Sequence, residues 1–406
     1  MAALDLTSFD AALKVHYTDD RVKMMSYEDA ALLAILPKYT KFGGKNLPIP
    51  VQFGNPQGRS STFANAQANK TASKYEDFVI TRARDYGLAS IDNETLLAAQ
   101  GDKNAFLEAA TSEIDGVINS VKQSLSRSLF GDGSGTIGII GSGTASPLTL
   151  ADPNDIVNFE LGMTIAVVNS TSDPTAALHT GTGVISAINR STGVITYTGT
   201  ITTPAPGNYI VQDGDAYATS PSGYKKLTGL AGWLPAAAPT STLFFGVNRA
   251  VDTDRLGGIR YDGSSETIEE ALIGAAHRLA RESARPTHAI MNPVKVGQLV
   301  KALGSKVEFD SVRAADAEIG FEAIKIRTPV GVLKVVSDRQ CPTEVGYMLQ
   351  MDTWKLYSLG NAPRILDTDG MKFLREASAD AVEVRVGYYA QLGCSAPGWN
   401  ARIKFA

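Results

Sequence analysis

The stretch KNAFLEAATSEIDGVINSVKQSLSRSLF, residues 103–130, constrains this chain more than any other. Phe106, Ala110, Ile114, Val117, Val121, Leu125 and Leu129 recur at intervals of three and four, while Glu108, Glu113, Lys122 and Arg127 fall largely off that stripe. The spacing predicts one amphipathic helix, roughly 42 Å long at about 1.5 Å per residue. GDGSG at 131–135 stops it. A helix of that length spans a domain, so the remaining elements must be organised along it.

Upstream, two strand-like runs, NLPIPVQF and YEDFVITRAR, bracket a polar span of Asn, Gln, Ser, Thr and Ala between residues 38 and 84. Pro48 and Pro50 remove ladder donors, so the first run reads as an edge strand. The two runs form a long hairpin that has no evident helix to cover it. An isolated two-stranded ribbon is marginal in water and needs a surface to lie on. Within it, GNPQGRSS at 54–61 superficially resembles a phosphate-binding loop. Only three residues separate Gly54 from Gly58, Arg59 stands where a lysine is needed, and no apolar three-and-four spacing follows before Phe78. The stretch therefore reads as a hairpin tip with no packed helix after it. Residues 1–36 carry small apolar groups (Leu4, Leu6, Phe9, Leu13, then Leu32, Leu33, Ile35, Leu36) that are too few for a core, so they read as an arm lying on another surface.

Residues 146–218 differ from their surroundings: β-rich runs such as FELGMTIAVV, GTGVISAI, GVITYTG and NYIVQDGDA alternate with turn clusters, NRSTG at 189–193 among them. They predict a small all-β barrel or sandwich inserted as a module. After the connector LTGLAGWLPAAAPTST the texture becomes α/β: SETIEEALIGAAHRLARES as a helix with acids in its first turn, THAIMNP as a buried strand, VKVGQLVKAL as a helix, and strands in IKIRTPVGVLKVVSD, GYMLQMDTWKLYSLG, AVEVRVGYYAQL and NARIKF. The fold class is α+β with one β insertion.

The chemistry-bearing residues do not converge. His16, His179, His277 and His288 lie far from one another and from Cys341 and Cys394, which have no CxxC spacing; no metal site, nucleophile elbow or catalytic residue is expected. The DTD turns at 252–254 and 367–369 lack a calcium-loop pattern and read as turn caps. Glu266, Glu269 and Glu270 suit a helix N-terminus without any further role. With 406 residues and 44% hydrophobic content the chain can bury a sizeable core, and a net charge of -4 argues against a strongly basic nucleic-acid binder. The N-terminus MAALDLTSFDAALKVHY has neither a basic start nor a long apolar run, so no signal peptide is expected, and no apolar run is long enough for a membrane helix. The cysteines are expected reduced, and no cofactor is expected.

The order of parts, together with YTDDRV, FGGKNLPIPVQFGNPQGRSSTF, DYGLASIDNETLLAAQGDKNAFLEAATSEIDGVINSV, AIMNP, TPVGVLKVVSDRQCP and DTWKLYSLGNAP, resembles the major capsid proteins of tailed double-stranded-DNA bacteriophages. Their Hong Kong phage-type fold is shared by encapsulins and the herpesvirus capsid floor. The resemblance covers nearly the whole chain, with the insert as its most variable part.

It implies an N-terminal arm at 1–37, an extended loop at 38–84, a peripheral domain with its spine helix at 85–145, the inserted β domain at 146–218, a connector at 219–235, an axial domain at 236–362 and peripheral return strands at 363–406. It also implies hexamers and pentamers of the chain closing into an icosahedral capsid, in a virion assembled in the host bacterial cytoplasm. The expected partners are a scaffolding protein, a portal protein, a decoration protein and packaged double-stranded DNA at the inner face, with no membrane. Intersubunit contacts are expected at Gly54, Asn55, Pro56, Gly58, Arg59 and Phe63 of the loop and at Tyr17, Asp19, Asp20 and Arg21 of the arm. Some relatives join a loop lysine to a neighbour's asparagine; Lys45, Lys70 and Lys74 are the lysines so located, and no such crosslink is expected here. The alternatives are an encapsulin-like nanocompartment shell and, from another class, a β-rich adhesin or glycan-binding protein.

Overall fold

The computed structural model describes residues 30–92, 103–169, 178–216, 225–303, 309–313, 320–367, 373–375 and 380–406. Near its start lies α1 (Ala31–Ile35), followed by the two-residue β1 (Lys38–Tyr39). The ribbon is β2 (Asn46–Gly54) paired antiparallel with β3 (Lys74–Thr81), in a register that sets Ile49 opposite Phe78 and Pro50 opposite Asp77. The alternation sorts the two faces: Ile49, Val51, Phe78 and Ile80 are buried, whereas Pro48, Pro50 and Asp77 face outward. Between the strands, α2 (Phe63–Ala68) forms in the polar tip and buries none of its residues. Its Ala and Gln are good helix formers, so local propensity makes the turn and a half of helix that apolar spacing could not announce.

After a single residue, Arg82, β4 (Ala83–Asp92) joins a six-stranded sheet. Its backbone is the 14-residue β22 (Ala381–Cys394), flanked by β4 on one edge and by β19 (Trp354–Ser358), β20 (Arg364–Ile365) and β21 (Phe373–Arg375) on the other, with β1 outermost beside β19. The helix α3 (Lys103–Phe130) lies on this sheet. Gly87 of β4 makes the approach possible, because a Cβ there would stand 2.7 Å from Val117 and 2.6 Å from Val121. Ile114, Val121, Leu125 and Leu129 are buried as their spacing predicts. Lys122 is buried too, and Arg127 half-buried, against the expectation of an exposed polar face. The reason is tertiary: the last turns are enclosed on all sides, with serines at 124, 126 and 128 small enough to be covered.

Six strands close a barrel in the order β10-β5-β6-β9-β8-β7: β5 (Thr136–Ser142), β6 (Leu148–Leu150), β7 (Thr164–Val168), β8 (Gly183–Asn189), β9 (Val194–Gly199) and β10 (Tyr209–Gln212). Its own core includes Ile140, Phe159, Val167, Ile195 and Ile210. NRSTG makes the β8–β9 turn, where Asn189 Oδ1 accepts from Ser191 N at 3.1 Å and Gly193 adopts φ 68°. The first barrel strand begins ten residues before the expected boundary at 146, because the glycines in TIGIIGS hide its strand pattern.

The chain returns through α4 (Leu230–Trp233) and the short pair β11 (Leu243–Phe244) and β12 (Val247–Asn248) into a seven-stranded sheet ordered β13-β23-β18-β14-β17-β16-β15. These strands are β13 (Ile259–Asp262), β14 (His288–Met291), β15 (Phe309–Arg313), β16 (Gly320–Thr328), β17 (Gly331–Ser337), β18 (Val345–Leu349) and β23 (Ala401–Lys404). α5 (Ile268–Ala280) and α6 (Pro293–Leu303) pack on it. A full capping box between Thr267 and Glu270 starts α5, which accounts for Glu270 in its first turn. Two strands cross the expected partition of 236–362 from 363–406. Trp354–Ser358 pairs with β22, and NARIK slots between β13 and β18. The last strand thus ties the two sheets together.

Candidate assembly surface

The ribbon has a fixed root and an uncovered tip. At the root, Phe78 meets Trp233 edge-on with centroids 5.0 Å apart, and Phe244 packs against both rings. Trp233 is fully buried and its Nε1 donates to Leu392 O at 3.1 Å, linking the ribbon to β22. Val79 N donates to Phe245 O at 2.9 Å, and Arg255 donates from a terminal guanidinium nitrogen to Phe53 O at 2.8 Å. Arg255 is itself held by Glu282 at 2.9 Å.

Beyond Gln52 and Tyr75 the contacts become local. Gln57 N donates to Thr71 Oγ1 at 2.8 Å and Thr71 N to Gln57 O at 2.7 Å, closing the tip on itself. Phe63 is 84% exposed and Tyr75 61%, large values for aromatic side chains, and no described residue covers them. Gly54 sits at a bulge beside Lys74, where a Cβ would come within 2.8 Å of that side chain. Gly58 has room for a Cβ and no left-handed φ, so the backbone there does not require a glycine. Asn55 lines a cavity of about 530 Å³ together with Phe53, Arg255, Arg281 and Trp399. Pro56, Arg59 and the lysines 45, 70 and 74 are exposed, and Arg59 forms no ion pair among the described residues. Tyr17, Asp19, Asp20 and Arg21 lie outside the described residues.

Where the arm enters the body, α1 is buried in the chain's own core between spine helix and sheets, not laid on a foreign surface. Asp338, at the end of β17, accepts from Leu32 N and from Gln340 N, both at 2.9 Å, and so caps the first turn of α1 from 306 residues away. Burial raises its carboxyl to about 6, the two N–H donors and Arg339 offsetting part of that cost. Its folded-state value thus lies above the ordinary 3.8. The protonated form is favoured in the folded chain, and this stabilisation is fully present below about pH 4 and lost as pH rises through about 6. Over that window the cost amounts to about 3 kcal/mol. Asp338→Asn cannot ionise, and it gives up one N–H acceptor at a constant cost. Its stability relative to the parent is expected to improve by about 3 kcal/mol between about pH 4 and pH 7, read by denaturant melts across that range.

A second device fixes the barrel. Lys226, just after the barrel, is buried and bridges Asp85 of β4 at 2.8 Å and Asp215 at the barrel's exit at 2.9 Å. Ser124 of α3 donates to Asp85 at 2.5 Å, and Tyr388 of β22 approaches the same carboxylate at 3.5 Å. Arg127 donates to Asn158 O of the barrel at 3.1 Å. Burial raises the Asp215 carboxyl against the pull of Lys226, raises Tyr388 and lowers Arg127. Sequence reading missed this cluster, since its members lie on five separate segments and carry no shared motif.

The acidic turn at 252–254 is engaged in ion pairs and a cap. Asp254 is held by Arg260 at 2.6 Å and Arg278 at 3.3 Å, and Asp252 caps the Arg255 N–H at 2.9 Å. His288 contacts Thr287 Oγ1 at 2.9 Å and is lowered to about 4 by burial and Lys334. Cys341 and Cys394 are buried free thiols, both pushed up by burial, Cys394 to about 12. No described helix is long and apolar enough to cross a membrane.

No family model and no curated protein matches the chain. Solved structures are similar over most of its length. The capsid asymmetric unit of cyanophage A-1(L) covers 95% of this chain and 92% of its own, with 10% identity and a TM-score of 0.49. The capsid of a native GTA particle covers 93% and 90%, with 9% identity and a TM-score of 0.47. The holo-SrpI encapsulin complex from Synechococcus elongatus covers 100% and 96%, with 8% identity and a TM-score of 0.43.

Proposed function

We propose that this chain is a structural shell protein that assembles as hexamers and pentamers into the icosahedral capsid around a phage's double-stranded DNA. The observation that carries the reading is the ribbon: locked at its root by Phe78, Trp233 and Arg255, it holds Phe63 and Tyr75 out with nothing among the described residues to cover them. A rigid projection of this kind finds its cover on another copy. Because projection and acceptor are different surfaces, the contact is heterologous and repeats into closed rings. On this reading residues 38–84 are the intersubunit loop, 85–145 and the β22 sheet the peripheral part, and the seven-stranded sheet the axial part. The resemblance of the sequence to tailed-phage capsid proteins supports it, as does the lack of convergent catalytic groups among the described residues. A scaffolding protein, a portal, a decoration protein and packaged DNA are the partners it entails, with a modest net charge of -4 suiting a wall that must not grip DNA tightly. Electron microscopy of the purified chain tests it: uniform closed shells are expected, and a monodisperse monomer under assembly conditions overturns it.

A further inference from the structure

β4 is an edge strand without the usual defences. Among the described residues only β22 pairs with it, so its other edge meets no strand. The backbone directions follow from two bonds on the far side of β22. Arg385 O accepts from Leu366 N and Tyr389 O from Leu359 N, so these residues turn their backbone groups away from β4. Their register partners, Leu88 and Arg84, and Tyr86 between them, must therefore turn theirs toward the open edge. Tyr86 N fits this, donating only to its neighbour's Asp85 Oδ1 at 3.1 Å. The side chains there are apolar: Tyr86 is 50% exposed and Leu88 58%. Protected edges are short, bulged or carry inward-pointing charges, and the Tyr86–Leu88 segment has none of these.

The chain has a second open edge that matches. Val79 N of β3 reaches Phe245 O, so the odd-numbered residues of β3 point their backbone groups away from β2. Farther out, Tyr75 and Asp77 share that orientation with no acceptor among the described residues, and Tyr75 to Asp77 are exposed. The charges are opposite where the faces match: Asp77 on this edge and the exposed Arg84 beside the other, while Arg385 next to it already holds Glu383. The two edges of one chain do not meet, because only Arg82 separates β3 from β4, too little for a hairpin turn.

We propose that Lys74–Asp77 of one copy adds as a strand to the open edge of β4 in a second copy, so that the six-stranded sheet continues across the subunit boundary. This rests on the reading that the ribbon reaches a neighbour, and it names the acceptor. Tyr75 then covers Tyr86 and Leu88, and Asp77, on the same face of its strand, meets the exposed Arg84.

The test combines Tyr75→Cys with either Tyr86→Cys or Leu88→Cys, which samples two registers, in oxidised shells run on a non-reducing gel. Neighbouring strands bring Cα atoms within disulfide reach, about 4.4–6.8 Å, and Cys341 and Cys394 are buried. A ladder of covalent multimers is expected from one of the double variants, with none from the single variants. Shells of parental size that stay monomeric on the gel in both double variants overturn this docking, leave the shell reading standing, and point to another occupant. Failure of the parent to form shells overturns both. Should the paired cysteines block assembly, Leu88→Pro decides: it removes an outward N–H and leaves the β22 ladder intact. Loss of shells with a parental melting curve is expected, and normal shells from Leu88→Pro overturn the proposal.

Discussion

Replacing residues 55–73 by an Asn-Gly turn is expected to yield a subunit that melts like the parent and never closes into shells. The graft is sterically simple, because Gly54 and Lys74 are already register partners and a two-residue turn suits the twist of a hairpin. Folding stability should be spared because the removed segment buries nothing: α2 has no buried residue, and apart from an exposed bond from Gln52 Nε2 to Asn55 Oδ1 the tip's hydrogen bonds join its own members. The root contacts of Phe78, Val79 and Phe53 all remain. What is lost is the cover the tip gives to a neighbour, and in a shell that loss repeats at every subunit. Calorimetry and electron microscopy on one preparation read both halves. Normal particles would refute the assembly role of the tip, and a collapsed melting transition would show that the tip serves the fold.

Lys226→Met should destabilise the chain by about 3–5 kcal/mol, the range for removing one partner of a buried ion pair. The lysine side chain is 7% exposed and its two carboxylate partners 15% and 23%, so neither acid can turn to water without disturbing β4 or the barrel exit. Methionine fills the stem and leaves two like charges facing each other. Asp85→Asn and Asp215→Asn added to Lys226→Met should recover most of the loss, since the repulsion goes and Ser124 and Tyr388 still have an acceptor at position 85. The deficit of the single variant should also shrink at lower pH, as Asp215 is already raised by burial and protonates before an ordinary carboxyl. Equilibrium melts of the parent, single and triple variants measure it. A single variant as stable as the parent would show that the triad holds the barrel's orientation at no net gain in free energy.

The local elements were legible in the sequence. The spine helix carries a three-and-four apolar stripe, α5 a Thr267–Glu270 box, the β8–β9 hairpin its NRSTG turn, and the ribbon two prolines that bar one strand from a sheet interior. The uncovered tip from Asn55 to Phe63 followed from the same reasoning, since polar residues without periodicity have nothing to bury. The first barrel strand was hidden by its own glycines.

What the sequence by itself determined, then, was which segments are helix, ribbon and β module, because those signals act over neighbouring residues. Only the tertiary structure decided that NARIK completes the seven-stranded sheet, that Trp354–Ser358 leaves it for β22, and that Lys226 belongs with Asp85 and Asp215. It also decided that Asp338 caps a helix 306 residues away and that, among the described residues, only β22 pairs with β4. The physical reason is common to all of these. Strand partners, buried ion pairs and remote caps are chosen by which surfaces meet after the chain has closed long loops, and a strand's own residues encode a face and a length but not the neighbour it will find.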